Sequence, residues 1–453
     1  MGMGWSWAPL SAGEIRLADR ADVVFADEPS DVSLILVDDQ KKMCRQQERA
    51  WKQQQRDAAK AMKQQERCQD KACRPQRTGP GFVDRCGSLC SGCGDMFTSE
   101  LGDPFTINSL LWDECDDPCF TVGGWTQVGY SNNNDGAFNT RPDKFNLNQQ
   151  WMYIEKIADG SDGFGWGGRI DAIYGQDAAN TQAFGNNFGR YDFSDSFNYG
   201  AQYGWAIPQA YAQVAYDNVS VKVGHFFTLQ GYEVVAATGN FFYSHALTMN
   251  YTEPFTHTGA LATITVSDQL EVYAGWVAGW DSGFDRLNGA SAWHGGFKVT
   301  PMENMSFIYT STAGNLGWIG DGYSQSAIVT TNVTDQLTSV IGSDLVHTNA
   351  GVYPAGAPSG NTFNSISAYN YLIYQINDRT GVGMRNEWTK VDGISYNSFT
   401  AGFNYKPVAN VVVRPEYRYN YSAAGDNMPA GGRNPLGIEV NQGILAVDAI
   451  LTY

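Results

Sequence analysis

The sequence predicts an all-β chain: a transmembrane, antiparallel, up-and-down β-barrel of about sixteen strands, preceded by a short helical and Cys-rich N-terminal segment. Three observations lead there. The 453 residues are 13% aromatic, include 50 Gly and are only 17% charged, against about 25% charged in soluble proteins. Mean hydropathy is nevertheless below zero, and no apolar run approaches the ~18 residues of a membrane helix. Strands that alternate lipid-facing apolar with lumen-facing polar residues produce that combination. The second observation is period-two alternation, which begins at about Phe120 and recurs to the end between Gly/Asn/Asp/Pro turns. Sixteen such segments can be counted, the first centred near residue 126 and the last near residue 446.

The third observation is in the connections. Links after even-numbered strands are short: ADGSDG, DN, SDQ, TPMEN, TDQ, NDRT and KPVAN. Links after odd-numbered strands are mostly long, as in Ser131–Asp143, Asp177–Ile207, Thr228–Phe255 and His347–Thr362. Tight turns on one rim and extended loops on the other are the topology of an outer-membrane barrel. Two of the short links sit in near-repeats, TVSDQLEVYAG (Thr265–Gly275) and NVTDQLTSVIG (Asn332–Gly342). In each, the Asp is expected to bond the turn backbone.

Charge placement then sets the faces. On the fifteenth strand Val411, Val413, Pro415, Tyr417, Tyr419 and Tyr421 point one way, and Arg414, Glu416, Arg418 and Asn420 the other. A basic side chain on the lipid face costs about 2–4 kcal/mol at the midplane, so the charged face is the lumen. The same reasoning turns Arg169, Asp171, Lys222, Glu271, Tyr273, Arg385 and Glu387 inward. These charges fit either a mutual ion-pair ladder or a field that sets selectivity. Trp166, Trp280, Trp388 and Tyr453 are expected in outward aromatic girdles. Of the long loops, Asp177–Ile207, with Phe184, Phe188, Arg190, Tyr191 and Phe193, is expected to fold inward as a constriction. A plain surface loop fits it too. The last strand places Leu445, Val447, Ala449, Leu451 and Tyr453 on one apolar face, and its terminal aromatic resembles the signal read by the barrel assembly machinery.

The N-terminal part divides differently. Residues 1–37 show no periodicity and read as unstructured or as a mis-assigned leader, since MGMGWSWAPLSAG lacks the basic start of an export signal. Residues 38–77 hold twelve Lys/Arg against six Asp/Glu among strong helix formers. They read as a basic periplasmic helix, either solvated, in a coiled coil, or tethered to an anionic envelope polymer. Residues 78–119 form a Cys/Gly-rich linker, and 120–453 the barrel. All eight Cys (Cys44, Cys68, Cys73, Cys86, Cys90, Cys93, Cys115 and Cys119) precede the barrel. They fit disulfides in an oxidising compartment, with a four-Cys zinc site from Cys86, Cys90, Cys93 and Cys115 as the alternative.

The net charge of −17 argues against nucleic acid as a partner. No hydrolase, phosphate-loop, dinucleotide or zinc-protease motif is present, so no catalytic residue, metal or cofactor is expected. The stretches GHFFTLQGYEVVAATGNFFYSHALTMNYTEPFTHTG (Gly224–Gly259), FNLNQQWMYIEK (Phe145–Lys156) and GGRIDAIYGQDA (Gly167–Ala178) resemble the OmpL-like β-barrel porin family over roughly Val122–Tyr453. That resemblance implies a porin-type channel in the outer-membrane lipid, passing small hydrophilic solutes or ions without chemistry, and a trimer. The rival readings are an outer-membrane anchor or adhesin with a plugged barrel and the basic helix, a barrel enzyme, and a secreted β-rich binding protein.

Overall fold

The computed structural model describes residues 101–111, 120–136, 138–194, 203–349, 363–423 and 440–453. The leader, the basic segment, most of the linker and all eight Cys lie outside the described residues. Among the described residues ahead of the barrel is one short turn of helix, α1 (Asn108–Leu111). Sixteen strands follow. They are β1 (Thr121–Ser131), β2 (Lys144–Lys156), β3 (Phe164–Gly175), β4 (Gly204–Tyr216), β5 (Val219–Phe227), β6 (Thr256–Ser267), β7 (Leu270–Val277) and β8 (Ser291–Met302). The second half comprises β9 (Met305–Asn315), β10 (Asp321–Asn332), β11 (Leu337–Asn349), β12 (Phe363–Gln375), β13 (Thr380–Val391), β14 (Ile394–Val408), β15 (Val411–Tyr421) and β16 (Gln442–Thr452). Each pairs antiparallel with its neighbours in the sequence, and β16 returns to β1 to close the barrel. Closure leaves no strand edge bare, the condition for a sheet to sit in lipid.

At the closing seam Tyr453 and Gly124 exchange two backbone hydrogen bonds of 3.0 Å. Gly124 is needed there: a Cβ would stand 2.1 Å from the Trp151 carbonyl and 2.8 Å from the Tyr453 ring. The seven short links are all present on one rim. In the two near-repeats the turn N–H groups go to hydroxyls rather than to the expected Asp side chains. Gln269 N–H donates to Ser267 Oγ at 3.3 Å, and Leu337 N–H to Thr334 Oγ1 at 3.0 Å. The residue before each Asp already lies within reach, as in other Ser/Thr turns. The opposite rim is less uniform than expected. Residues 392–393 make a two-residue hairpin, with Asp392 and Gly393 at φ 45° and 90°, as a type I′ turn requires.

Side-chain burial alternates as the charges demand. Along β15, Arg414, Glu416, Arg418 and Asn420 are buried, while Pro415, Tyr417, Tyr419 and Tyr421 are exposed. On β16 the exposed positions are Leu445, Ala449 and Leu451, with Asp448 buried between them. Trp166 and Trp388 face outward, joined by Trp276 and Trp293. Trp280 does not: it lies beyond the end of β7 and packs with Phe226, Val277, Leu316 and Ile319. The girdle expectation fails there because the residue belongs to a loop, where strand parity no longer sets direction.

The apolar core lies inside the barrel. One cluster joins Trp125, Trp151, Ile173 and Ile450 of the wall to Val235, Ala237, Ala246 and Met249 of the β5–β6 connection. A second joins Ile328, Val340, Tyr369 and Tyr371 to Phe241 and Phe242 of the same connection. Outward and inward faces therefore carry different costs. Val447→Lys, outward at mid-strand, should lower barrel stability by about 2–4 kcal/mol. Thr263→Lys, on the lumen face of β6, should change it by about 0.5 kcal/mol or less. Urea titration of the heat-modifiable gel band in detergent or lipid measures both.

Candidate functional site

The site is built by one connection, Thr228–Phe255, between β5 and β6. For a loop its sequence is unusual, with 28 residues and only two Asp, Glu, Lys or Arg side chains, Glu233 and Glu253. Such a stretch cannot stay in water at low cost, because Val235, Phe241, Phe242, Leu247 and Met249 each gain about 1.5–3 kcal/mol on burial. All five are at least nine-tenths buried. The segment runs into the lumen, carries the helical turn α2 (Leu247–Thr252), and touches wall strands from β2 around to β16. Apart from a 3-10 turn at Ala237–Gly239, its remaining backbone is irregular, so its N–H and C=O groups need partners from the wall.

The inward charges of β13 and β15 supply them. Arg414 donates to the carbonyls of Ala237 at 3.0 Å and Asn240 at 2.7 Å. Arg385 donates to the Ser244 carbonyl at 2.8 Å, and Arg418 to that of His245 at 2.8 Å. Glu416 accepts the Tyr243 and Ser244 N–H groups at 2.8 and 3.2 Å, and Glu387 accepts Leu247 N–H at 2.5 Å. The segment's own Glu233 accepts Ala246 N–H and the Tyr371 hydroxyl and pairs with Arg385 at 2.6 Å. These pairings, Arg385 first among charges, hold the Glu233 carboxyl down at about 2 despite its burial. Arg414 is also clamped on Asp448, and Arg385 on Glu387. Mutual ion pairs are thus present, but the same charges fasten the backbone of the crossing segment.

The opposite wall differs. On β2–β7, Arg169 pairs with Asp171 at 2.6 Å and Glu155 at 3.2 Å, and lies 4.2 Å over the Tyr153 ring. Lys222 lies 4.2 Å over Tyr211, and Tyr273 donates to Glu271 at 2.7 Å. The Arg169 and Glu155 side chains keep 19% and 28% exposure, whereas those of Arg385 and Arg418 have none. Lys222 and Glu271 are half-buried and Tyr273 is buried. The lumen wall therefore has a side covered by the crossing segment, from β10 around to β16, and a side on β2–β7 where Glu155, Arg169, Lys222 and Glu271 keep water contact while Asp171 does not.

The residues expected to line a constriction lie elsewhere. Phe184 packs at 5.1 Å against Trp318 and at 6.5 Å against Phe255, where the crossing segment returns to the wall. Beyond it the chain turns outward. His225 pairs with Ala210, one register step from Tyr211 and Gly224, and so faces away from the lumen. The Tyr191 ring lies 5.1 Å from it and its hydroxyl donates to the Ile207 carbonyl. Arg190 and Phe193 close the tip in a bridge, and Phe188, ring-stacked edge-on with Phe193, is 63% exposed. The tip of Asp177–Ile207 is thus on the outer side of the rim, and the segment that crosses the lumen is Thr228–Phe255. Its charge-poor, Phe-rich composition was the available signal. Ala449, Leu451 and Tyr453, the residues expected to carry an assembly signal, lie on the outward face, Tyr453 in hydrogen-bond contact with Gln150.

Removing Arg385 would leave Glu233 and Glu387 buried without their cation, a loss of about 3–5 kcal/mol when one partner of a buried pair goes. Arg385→Ala should release the crossing segment within a barrel that still shows heat-modifiable migration. Chymotrypsin should then cut at Phe241–Tyr243, which it leaves intact in the native protein. Arg385→Lys should rescue only partly, because an ammonium cannot bridge two carboxylates and a carbonyl in one plane.

Comparison with known proteins places this arrangement. Residues 119–453 match the family described as "Putative beta-barrel porin-2, OmpL-like". No curated protein sequence matches the chain. Among solved structures, the anion-selective porin from Comamonas acidovorans is similar at TM-score 0.53 and 10% identity, covering 74% of this chain and 99% of its own. OmpT of Vibrio cholerae, in its trimer form, gives 0.48 and 11%, covering 74% and 99%. The outer membrane channel DcaP of Acinetobacter baumannii gives 0.48 and 11%, covering 74% and 97%. With a closed sixteen-strand barrel, an inward charged face and a family match over three quarters of its length, the chain belongs to the OmpL-like β-barrel porins.

Proposed function

We propose that this porin is a passive outer-membrane channel for small hydrophilic solutes or ions, with Thr228–Phe255 as its constriction. The water path runs along the β2–β7 wall, past Glu155, Arg169, Lys222 and Glu271. The observation that carries this is the contrast in exposure between the two halves of the wall. A barrel of sixteen strands is too wide for its own side chains to fill, and the crossing segment occupies the β10–β16 side while Glu155, Arg169, Lys222 and Glu271 opposite it keep water contact. A transverse field across that path follows from Arg169 and Lys222 standing beside Glu155, Asp171 and Glu271. No covalent chemistry is involved. The outward apolar face of β16, ending at Leu451 and Tyr453, is read by the assembly machinery, and a homo-oligomer, a trimer at this barrel size, completes the unit in the membrane. Disulfides among the N-terminal Cys fit the oxidising side of that membrane.

One observation favours an added anchoring role. The Asn410 side chain, in the β14–β15 turn, both accepts from Phe105 N–H and donates to its carbonyl, each at 2.7 Å. The chain ahead of β1 therefore leaves from the short-turn rim, the periplasmic rim in this reading. The basic residues of 38–77 would then face the anionic polymers of the envelope.

In planar bilayers the full chain should give discrete conductance steps. Replacing Gly239–Leu247 by a short Gly/Ser linker should raise the unit conductance several-fold. A barrel that is heat-modifiable yet silent in both forms would rule the channel out. Deleting 38–77 should abolish co-sedimentation with purified cell-wall polymer and leave conductance unchanged.

A further inference from the structure

Near its return to the wall the crossing segment carries a second feature, independent of the Arg385 and Arg414 contacts. Glu253, buried, faces Asp344 on β11, which is also buried. A single hydroxyl stands between them. Thr248 Oγ1 is 2.6 Å from Asp344 Oδ2, 3.2 Å from Glu253 Oε1 and 2.5 Å from Ser367 Oγ. One hydroxyl has one hydrogen and cannot donate to both carboxylates. Asp344 Oδ1 is buried without a hydrogen-bond partner, which a carboxyl O–H from Glu253 would supply. The site is also sterically fixed: a Cβ on Gly231 would fall 1.6 Å from Glu253 Oε2. Gly231, at φ 87°, thereby lets the carboxyl reach β11.

Among the described residues the surroundings offer no compensating charge. From β12 come the Tyr369 hydroxyl and Ser367, and from β10 Ser326, which receives Gly231 N–H at 3.1 Å. From the segment itself comes Glu233, already matched by Arg385, with His245 at 3.6 Å. Arg385 of β13 is shared between Glu233 and Glu387. Two charged carboxylates here would repel at short range in a dry setting. Burial first, and then the Asp344 carboxylate, hold the Glu253 carboxyl well above the usual carboxylate range.

We propose that Glu253 and Asp344 form a shared-proton latch, in which one proton between them holds the end of the crossing segment against β11 and β12. This rests on the channel reading above. The docked segment binds the proton more tightly than the released one. Docking is therefore complete in acid and weakens as pH rises past the ordinary Glu value towards the raised one. Loss of the proton leaves two like charges side by side, frees the Thr248–Phe255 end and widens the path, so conductance rises with pH. A cavity lined by Gly231, Glu233, Met249, Glu253 and Phe255 adjoins the pair.

The test is single-channel conductance of the full chain from about pH 5 to about pH 9, the span in which buried Glu residues titrate. It is paired with chymotrypsin cleavage at Tyr251 and Phe255, compared between variants at each pH. The native protein should show a conductance step and new cleavage as pH rises. Glu253→Gln, neutral at every pH and of the same size, should stay at the low-pH conductance and uncut, and Asp344→Asn should behave alike. Asp281 sits at the exit of the segment, accepting the N–H groups of Phe255 and Thr256, and burial pushes its carboxyl up to about 7. Asp281→Asn must therefore keep the step if the latch is Glu253–Asp344. A native conductance that is flat in pH, or a step that survives in Glu253→Gln, overturns the latch. A protein silent at every pH overturns the channel reading instead, and cleavage then still decides the latch: protection that ignores pH sinks it.

Discussion

An irregular stretch of backbone inside a barrel must find partners for every peptide group, and this constraint organises the molecule. Helices and sheets satisfy their own N–H and C=O groups, and a crossing segment such as Thr228–Phe255 does so only at short turns, the 3-10 turn Ala237–Gly239 and the helical turn Leu247–Thr252. The wall answers with ions. Arg385, Arg414 and Arg418 receive carbonyls, and Glu387 and Glu416 receive N–H groups. Their own desolvation is offset by one another, by Asp448 and by Glu233. Charge-assisted bonds are roughly twice as strong as neutral ones. A handful of side chains can therefore hold a segment that has little regular structure.

The same arrangement explains why the charges divide between two jobs. Those under the segment have become structural and are sealed from water. On β2–β7, all but Asp171 of the inward charges Glu155, Arg169, Asp171, Lys222 and Glu271 retain exposure, and the cations lean on aromatic rings, Arg169 on Tyr153 and Lys222 on Tyr211. Cations held over ring faces stay near the wall instead of reaching across the path. In the proposed channel a field of fixed sign pattern and an open cross-section are compatible for that reason.

Most of the barrel was legible in the sequence because lipid and water impose opposite chemistry on alternate residues. Arg414, Glu416 and Arg418 could be turned inward from one strand alone, and burial along β15 follows the same alternation. Legibility ended where parity ended. Trp280 is three residues past the end of β7, and its ring direction comes from Leu316 and Ile319, which no period announces. The identity of the crossing loop was hidden for a related reason. Aromatic content marked Asp177–Ile207, but aromatic residues at a membrane rim face either way. Near-absence of charge in Thr228–Phe255 was the more physical sign, since a stretch without charge has little reason to remain in water. The shared carboxyl pair was invisible, because Glu253 and Asp344 lie 91 positions apart and meet only through the fold.

Asn410 has a mechanical meaning beyond its place in a turn. Its side chain holds Phe105 by two bonds and reaches the Thr452 carbonyl at 2.7 Å, while its own carbonyl receives Thr452 N–H at 2.8 Å. Three points of the chain, ahead of β1, at the β14–β15 turn and at the end of β16, are thereby knotted beside the seam. A pull on the N-terminal segment would not peel β1 from its first bond. It would be shared across the turn and the seam and loaded along the strands, the direction in which a sheet resists force best.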